Sequence, residues 1–230
     1  MCVTRCSPVP VRVVSRNLPP VPTSPTPATG PGRPRLVGRL RSGGSPREEI
    51  LDAAGELFTT HGYAGTSTRK IAEAVGMRQA SLYHHFATKE DILVALLRDT
   101  VVPSLEVART ATTDVPPAER LLSLVRFDAA QLAGARWNLG ALYLLPELRS
   151  ERFSAFRDAR IELATVYADL TAEVVGSADD PRTTLPFRLV ESVISMRSDG
   201  DLGDPDAPGA EADRARVVEG LVLAITEMLR

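Results

Sequence analysis

Between Thr66 and Phe86 the chain reads TSTRKIAEAVGMRQASLYHHF, two apolar-periodic segments parted at Gly76. Helices this short are marginal alone and need neighbours for their apolar faces. Ser67 caps the first segment, Gly76 ends it, and 79–86 opens the second. Short helix, glycine turn, short helix is the helix-turn-helix pattern. Both flanks supply the neighbours. Upstream, Ser45-Pro-Arg-Glu48 puts a capping serine before proline at the first helical position and glutamate at the third. Ile50, Leu51, Ala53, Ala54, Leu57 and Phe58 then recur at helical spacing until His61-Gly62. Downstream, Thr88-Lys-Glu-Asp91 opens a long helix that Pro103 is expected to bend. Further helices are expected at 117–135, 138–145, 151–175, 181–196 and 211–229, and no segment alternates with the period of a strand. The fold class is all-α: a three-helix unit carrying the helix-turn-helix, joined to a helical bundle.

Charge divides the chain into three. Residues 1–45 hold seven arginines, no acid and half of the 18 prolines, which reads as a disordered Pro/Arg-rich tail. It is either a solvated extension or a basic arm for phosphate or minor-groove contacts. Residues 46–92 form the helix-turn-helix domain, and 93–230 a second, helical domain. The segment 99–230 carries a net charge of -8. No apolar run approaches the roughly 20 residues of a membrane span, and the N-terminus has no secretory core, so a cytoplasmic location is expected. Cys2 and Cys6 are the only cysteines, leaving the body without thiol chemistry.

The octet Gln79-Ala-Ser-Leu-Tyr-His-His-Phe86 invites a metal or catalytic reading. Adjacent helical residues point about 100° apart, so His84 and His85 do not readily share an ion, and His61 is the only other histidine. No serine sits in a Gly-x-Ser-x-Gly turn. We therefore expect neither metal, cofactor nor enzyme activity. Leu82 and Phe86 pack inward, which leaves Gln79, Ala80, Tyr83 and the histidines on an arc suited to a major groove. Gln79 can bond a base edge, Ala80 permits close approach, and Tyr83 and a histidine can donate to phosphate.

Leu57-Phe58, His61-Gly-Tyr63, Thr66-Ser67, Ile71-Ala72, Gly76, Leu82-Tyr-His-His-Phe86 and Thr88-Lys-Glu90 together resemble the N-terminal signature of TetR-family transcriptional regulators. The resemblance spans about residues 47–95 and implies a regulator bound to double-stranded operator DNA as a homodimer. It places Thr68 near phosphate, Arg78, Gln79 and Ala80 in the groove, and Tyr83, His85 and Lys89 at the backbone. Met77-Arg78-Gln79 departs from the small polar and lysine residues common there, and Lys70 replaces an acid. Tyr83 could instead only pack, Lys89 only solvate, and Arg78 pair with Glu73.

Beyond residue 110 the sequence offers faces rather than motifs. Leu189, Val193, Leu221, Val222 and Ile225 lie on broad apolar faces of the last two helices, which the resemblance makes a four-helix dimer interface; burial inside one subunit is the alternative. Phe127, Gln131, Trp137, Tyr143, Phe156 and Tyr167 are the candidates for lining an effector pocket, with core packing as their alternative. The absence of histidine and cysteine after residue 85 points to a small organic effector rather than a transition metal. The acidic balance disfavours an anionic one, unless Arg126, Arg136, Arg149 or Arg160 reverses it locally. A repressor released by such a molecule is the leading reading; a ligand-independent or architectural DNA-binding dimer is the alternative. The acidic loop 198–209 lacks the closing glutamate of an EF-hand and reads as a connector.

Overall fold

The computed structural model describes residues 44–110, 114–203 and 207–230. The tail expected at 1–45 lies outside the described residues except for Gly44 and Ser45. Among the described residues, eight α-helices are joined by turns: α1 (Pro46–His61), α2 (Thr68–Ala74), α3 (Gln79–Tyr83), α4 (Lys89–Thr110), α5 (Pro117–Gly134), α6 (Ser154–Val175), α7 (Leu185–Asp199) and α8 (Ala210–Met228). Among the described residues there is no strand, no helix long and apolar enough to cross a membrane, and no group of side chains arranged to hold a metal ion.

The helix starts follow from the caps. Ser45 and Glu48 form a complete capping box on α1, Ser67 Oγ accepts from the Lys70 amide on α2, and Thr88 and Asp91 bond reciprocally at the start of α4. These orphan amides would otherwise lack partners. Gly76 adopts φ 66, the left-handed geometry that turns α2 into α3. α3 is shorter than the expected 79–86 because the His85 amide bonds back to the Leu82 carbonyl, tightening the last turn. α4 runs through Pro103 as one helix.

The segment 138–145 is not an α-helix. It forms a 3₁₀ helix, Leu139–Leu144, followed by the short turns Pro146–Arg149 and Glu151–Phe153. Proline at 146 bars its predecessor from helical geometry, and Leu145 is accordingly extended at ψ 130. Gly140 is needed here for space: a Cβ would lie 2.5 Å from Ile194 Cδ1 of α7.

Ile50, Phe58, Ile71, Leu82, Ile92 and Leu93 close the core of the first four helices, each essentially inaccessible. Burial of each such side chain contributes about 1.5–3 kcal/mol before conformational entropy is counted. In the bundle, α5 is central and packs against α4, α6, α7 and α8. This arrangement corrects part of the expected dimer face. Val193 and Ile225 are 0% exposed and Val222 6% within one subunit, because the inner faces of α7 and α8 cover α5. Leu189 and Leu221 remain half-buried, whereas Leu185 and Leu223 are exposed, Leu223 at 63%.

One polar cluster lies inside the bundle. Ser104 of α4 donates to Asp128 Oδ1 at 2.9 Å, and Tyr167 of α6 donates to Oδ2 at 3.2 Å. Burial pushes the Asp128 carboxyl up to about 6 despite those two hydrogen bonds, which favour its ionised form.

Candidate nucleic-acid interface

α3 is anchored by a single apolar side chain, Leu82, with Phe86 just beyond it; both are buried. The opposite arc is open: Arg78, Gln79, Ala80, Tyr83, His84 and His85 are all exposed. Side chains from both short helices are already locked together there. Gln79 Nε2 donates to Thr68 Oγ1 at 3.0 Å and to Tyr83 Oη at 3.2 Å, and the Thr68 and Tyr83 hydroxyls lie 3.2 Å apart. The Gln79 carboxamide oxygen is free of this network, so the side chain can still accept from a base while its amide end is held. Ordering these rotamers before binding lowers the entropy lost on DNA. Arg69 engages Glu73 at 2.8 Å, which leaves Arg78 outside that pair and facing solvent.

Lys89 departs from the expected role. Its ammonium donates to the carbonyls of Tyr63 at 3.0 Å and Thr66 at 3.1 Å and sits 4.0 Å from the centre of the Tyr63 ring. The lysine ties the turn between α1 and α2 to the start of α4, so its charge is directed inward rather than toward a phosphate. Lys70 likewise donates to the Gly65 carbonyl at 2.9 Å.

The expected pocket residues separate into four places. Tyr143 and Phe156, ring centres 5.3 Å apart, line a 390 Å³ cleft between 143–149, α6 and α7. Gln131 and Tyr143 meet behind it at Thr100 of α4, with Gln131 donating to its carbonyl at 2.8 Å and Tyr143 to its hydroxyl at 2.7 Å. Tyr167 is fully buried and belongs to the Asp128 cluster, its ring 5.5 Å from that of Phe187. Phe127 lies half in solvent outside the cleft. Trp137 packs over Gly55 of α1 and donates from Nε1 to Asp52 at 2.9 Å; Arg136 adds an ion pair to the same carboxylate. Its large ring therefore seals a junction with α1 instead of lining a ligand site.

Sequence reasoning missed three features. Arg157 and Arg188 join Arg149 and Arg160 at the cleft, and a signal was present: 157, 160, 161 and 164 share one face of α6. Asp52 carried none, being one acid among several on α1. Arg152, directly after the cleft-lining turn, pairs with Asp91 at the start of α4.

A three-helix unit with an exposed, pre-ordered α3 and a separate helical body defines a helix-turn-helix DNA-binding regulator. Residues 50–96 match the model of bacterial regulatory proteins, tetR family. The chain is 32% identical over 179 residues to the HTH-type transcriptional repressor AcnR of Corynebacterium diphtheriae, covering 76% of this chain and 88% of that one. The crystal structure of Mycobacterium smegmatis AmtR superposes with a TM-score of 0.69 at 53% identity, over 80% of this chain and 88% of that one. AibR, crystallised with isovaleryl coenzyme A and operator DNA, shares the fold at a TM-score of 0.59 and 22% identity, over 79% of this chain and 98% of its own. The protein belongs to the TetR family of transcriptional regulators.

Proposed function

We propose that the protein is a cytoplasmic homodimeric repressor that holds its operator through two α2–α3 units and releases it when a small organic molecule enters the cleft at Tyr143 and Phe156. The DNA-binding unit is 46–92 and the effector and dimerisation domain 93–230. The Gln79–Thr68–Tyr83 network carries the DNA half of this reading, since it orients a base-reading amide and two hydroxyls on one exposed face. Arg78 and Ala80 flank that amide, and His85 lies on the same open arc. One such unit offers few cations, so a dimer presenting two of them to half-sites about 34 Å apart supplies the remaining affinity.

The exposed Leu185 and half-buried Leu189 of α7, with the exposed Leu223 of α8, form the face for the second subunit. Coupling to the cleft is short. Tyr143 touches both the cleft and Thr100 of α4, while the turn bearing Leu148 and Arg149 leads directly to Arg152 and its partner Asp91. A ligand that moves this turn shifts the start of α4 and with it the spacing of the two α3 helices. Release comes only from differential affinity, and a hundredfold loss of operator binding requires about 2.7 kcal/mol.

Selection of bound sequences from a random DNA pool, followed by gel shifts, tests the proposal. Gln79→Ala should weaken the selected site by about 1–3 kcal/mol and relax preference at one position. No selected sequence, or a Gln79→Ala protein with the parent's preference, would remove α3 from the reading role. Operator binding insensitive to every compound tested would leave a ligand-independent dimer.

A further inference from the structure

We infer that the cleft between 143–149, α6 and α7 takes an organic anion, a carboxylate or phosphate head on an apolar body; this rests on the reading of the cleft as the effector site. The wall is lined by four arginines, Arg149, Arg157, Arg160 and Arg188, and by no acidic residue. A segment with a net charge of -8 thus gathers four cations on one concave surface.

Three of the four are oriented. Arg157 donates from Nη1 to the backbone carbonyls of Leu148 and Ser150, the latter at 2.6 Å, which aims the group without neutralising it. Arg160 lies 5.0 Å from the Tyr143 ring centre and Arg188 5.6 Å from that of Phe187. Both bond the same carboxylate, Glu191, through Arg160 Nε at 2.9 Å and Arg188 Nη1 at 2.8 Å. One acid therefore offsets one of four positive charges. Like charges gathered on one concave surface repel, and an oxyanion relieves that repulsion while accepting bidentate, charge-assisted hydrogen bonds.

The rest of the cleft sets the shape of the molecule. Phe156, Ala164 and Phe187 form its apolar wall, and Leu144 and Ile161 extend that surface to the rim, where they are 91% and 64% exposed. An inorganic anion would satisfy the guanidiniums and leave this surface wet. A neutral apolar compound would cover the surface and leave the cations unpaired. A volume of 390 Å³ falls within the usual range for small-molecule sites.

The test is calorimetric titration of the full chain with three molecules sharing one tail, decanoate, decyl phosphate and 1-decanol, and with two heads alone, acetate and inorganic phosphate. At least one acid-headed molecule should bind about tenfold or more tighter than 1-decanol, and the bare heads at least tenfold more weakly than their tailed forms. Which of decanoate and decyl phosphate binds tighter identifies the head. The variant R149Q/R188Q should lose about tenfold for the acid-headed molecules and nothing for 1-decanol, with lysine at both positions restoring part. If that variant does not keep the parent's circular dichroism, raising salt from about 0.05 to 0.5 M replaces it: acid-head affinity should fall and 1-decanol affinity should not. Equal affinity for 1-decanol, no binding of either acid, or acid binding indifferent to both arginines and salt overturns the inference. Gel shifts on the selected operator are scored separately. Acid binding without operator release retains the anion site and removes its regulatory role, whereas release by 1-decanol with no preference for an acid head retains the effector reading and overturns this one.

Discussion

Replacing Lys89 by methionine separates a structural clamp from a phosphate contact. The side chain keeps most of its apolar stem and loses its charged end, so the change falls on two hydrogen bonds, to the carbonyls of Tyr63 at 3.0 Å and Thr66 at 3.1 Å, and on the Tyr63 ring 4.0 Å away. Hydrogen bonds to a charged group contribute about 1.5–3 kcal/mol each, and a cation over an aromatic face about 0.5–2 kcal/mol. Two facts reduce the sum. The ammonium is only partly buried, and the Tyr63 carbonyl keeps a second donor, the Thr66 amide at 3.2 Å, so one carbonyl rather than two loses its partner. The net cost should be about 2 kcal/mol, or roughly 4–8 °C in thermal midpoint at the usual 2–4 °C per kcal/mol for a chain of this size. Denaturant titration of the DNA-free protein measures that cost. Gel shifts over a range of salt measure the other role, because each lost phosphate contact lowers the slope of log affinity against log salt by about 0.9. The clamp predicts reduced stability, weaker operator binding and an unchanged salt slope. Stability within about 0.5 kcal/mol of the parent, together with a slope reduced by one contact per half-site, would refute it.

Asp128→Asn should remove a decline in stability that the parent shows as pH rises. Asp128 ionises near 3.8 when unfolded but only at about 6 when folded, so the parent loses stability as pH rises through that window, by about 3 kcal/mol at ~1.4 kcal/mol per unit; urea midpoints between pH 4 and 7 read the slope, and a variant with the parent's slope contradicts the assignment. Leu223→Glu should convert dimers to folded monomers in sedimentation, since Leu223 is 63% exposed in one subunit and its loss leaves the core intact; dimers persisting at micromolar concentration would move the interface elsewhere. Gly140→Ala should cost about 1–3 kcal/mol, because its Cβ would meet Ile194 Cδ1 at 2.5 Å, and a thermal midpoint equal to the parent's would mean that α7 gives way freely.

What the sequence disclosed follows the reach of local interactions. Ser45, Ser67 and Thr88 announce helix starts because a cap joins residues three apart, and the packing of Leu82 and Phe86 follows from a spacing of four. Pro146 was equally local evidence that Leu145 could not be helical, but nothing local tells the 3₁₀ geometry of 139–144 from an α-helix. Lys89 was beyond such reasoning, for its acceptors lie 23 and 26 residues away and nothing in its neighbourhood distinguishes inward from outward. The same limit scattered the expected pocket. Trp137 and Tyr143 are near in sequence, yet Trp137 is taken by Asp52, 85 residues upstream, while Tyr143 faces Arg160 and α7. Apolar faces were legible on α7 and α8, but periodicity cannot say how much of a face a neighbouring helix in the same subunit already covers.

Asp91 is a carboxylate with both oxygens spoken for. Oδ2 accepts from the Thr88 amide and hydroxyl to start α4, and Oδ1 meets Arg152 from the turn beside the cleft. Few residues can satisfy both demands: asparagine keeps an acceptor for the cap but drops the ion pair, and glutamate keeps the charge but carries it one methylene too far for the cap. The position therefore has a narrow mutational neighbourhood, in which losing the link to the cleft and losing the helix start are separable events. Within the proposed coupling, Asp91→Asn should therefore yield a protein that still folds and binds DNA but no longer responds to the cleft.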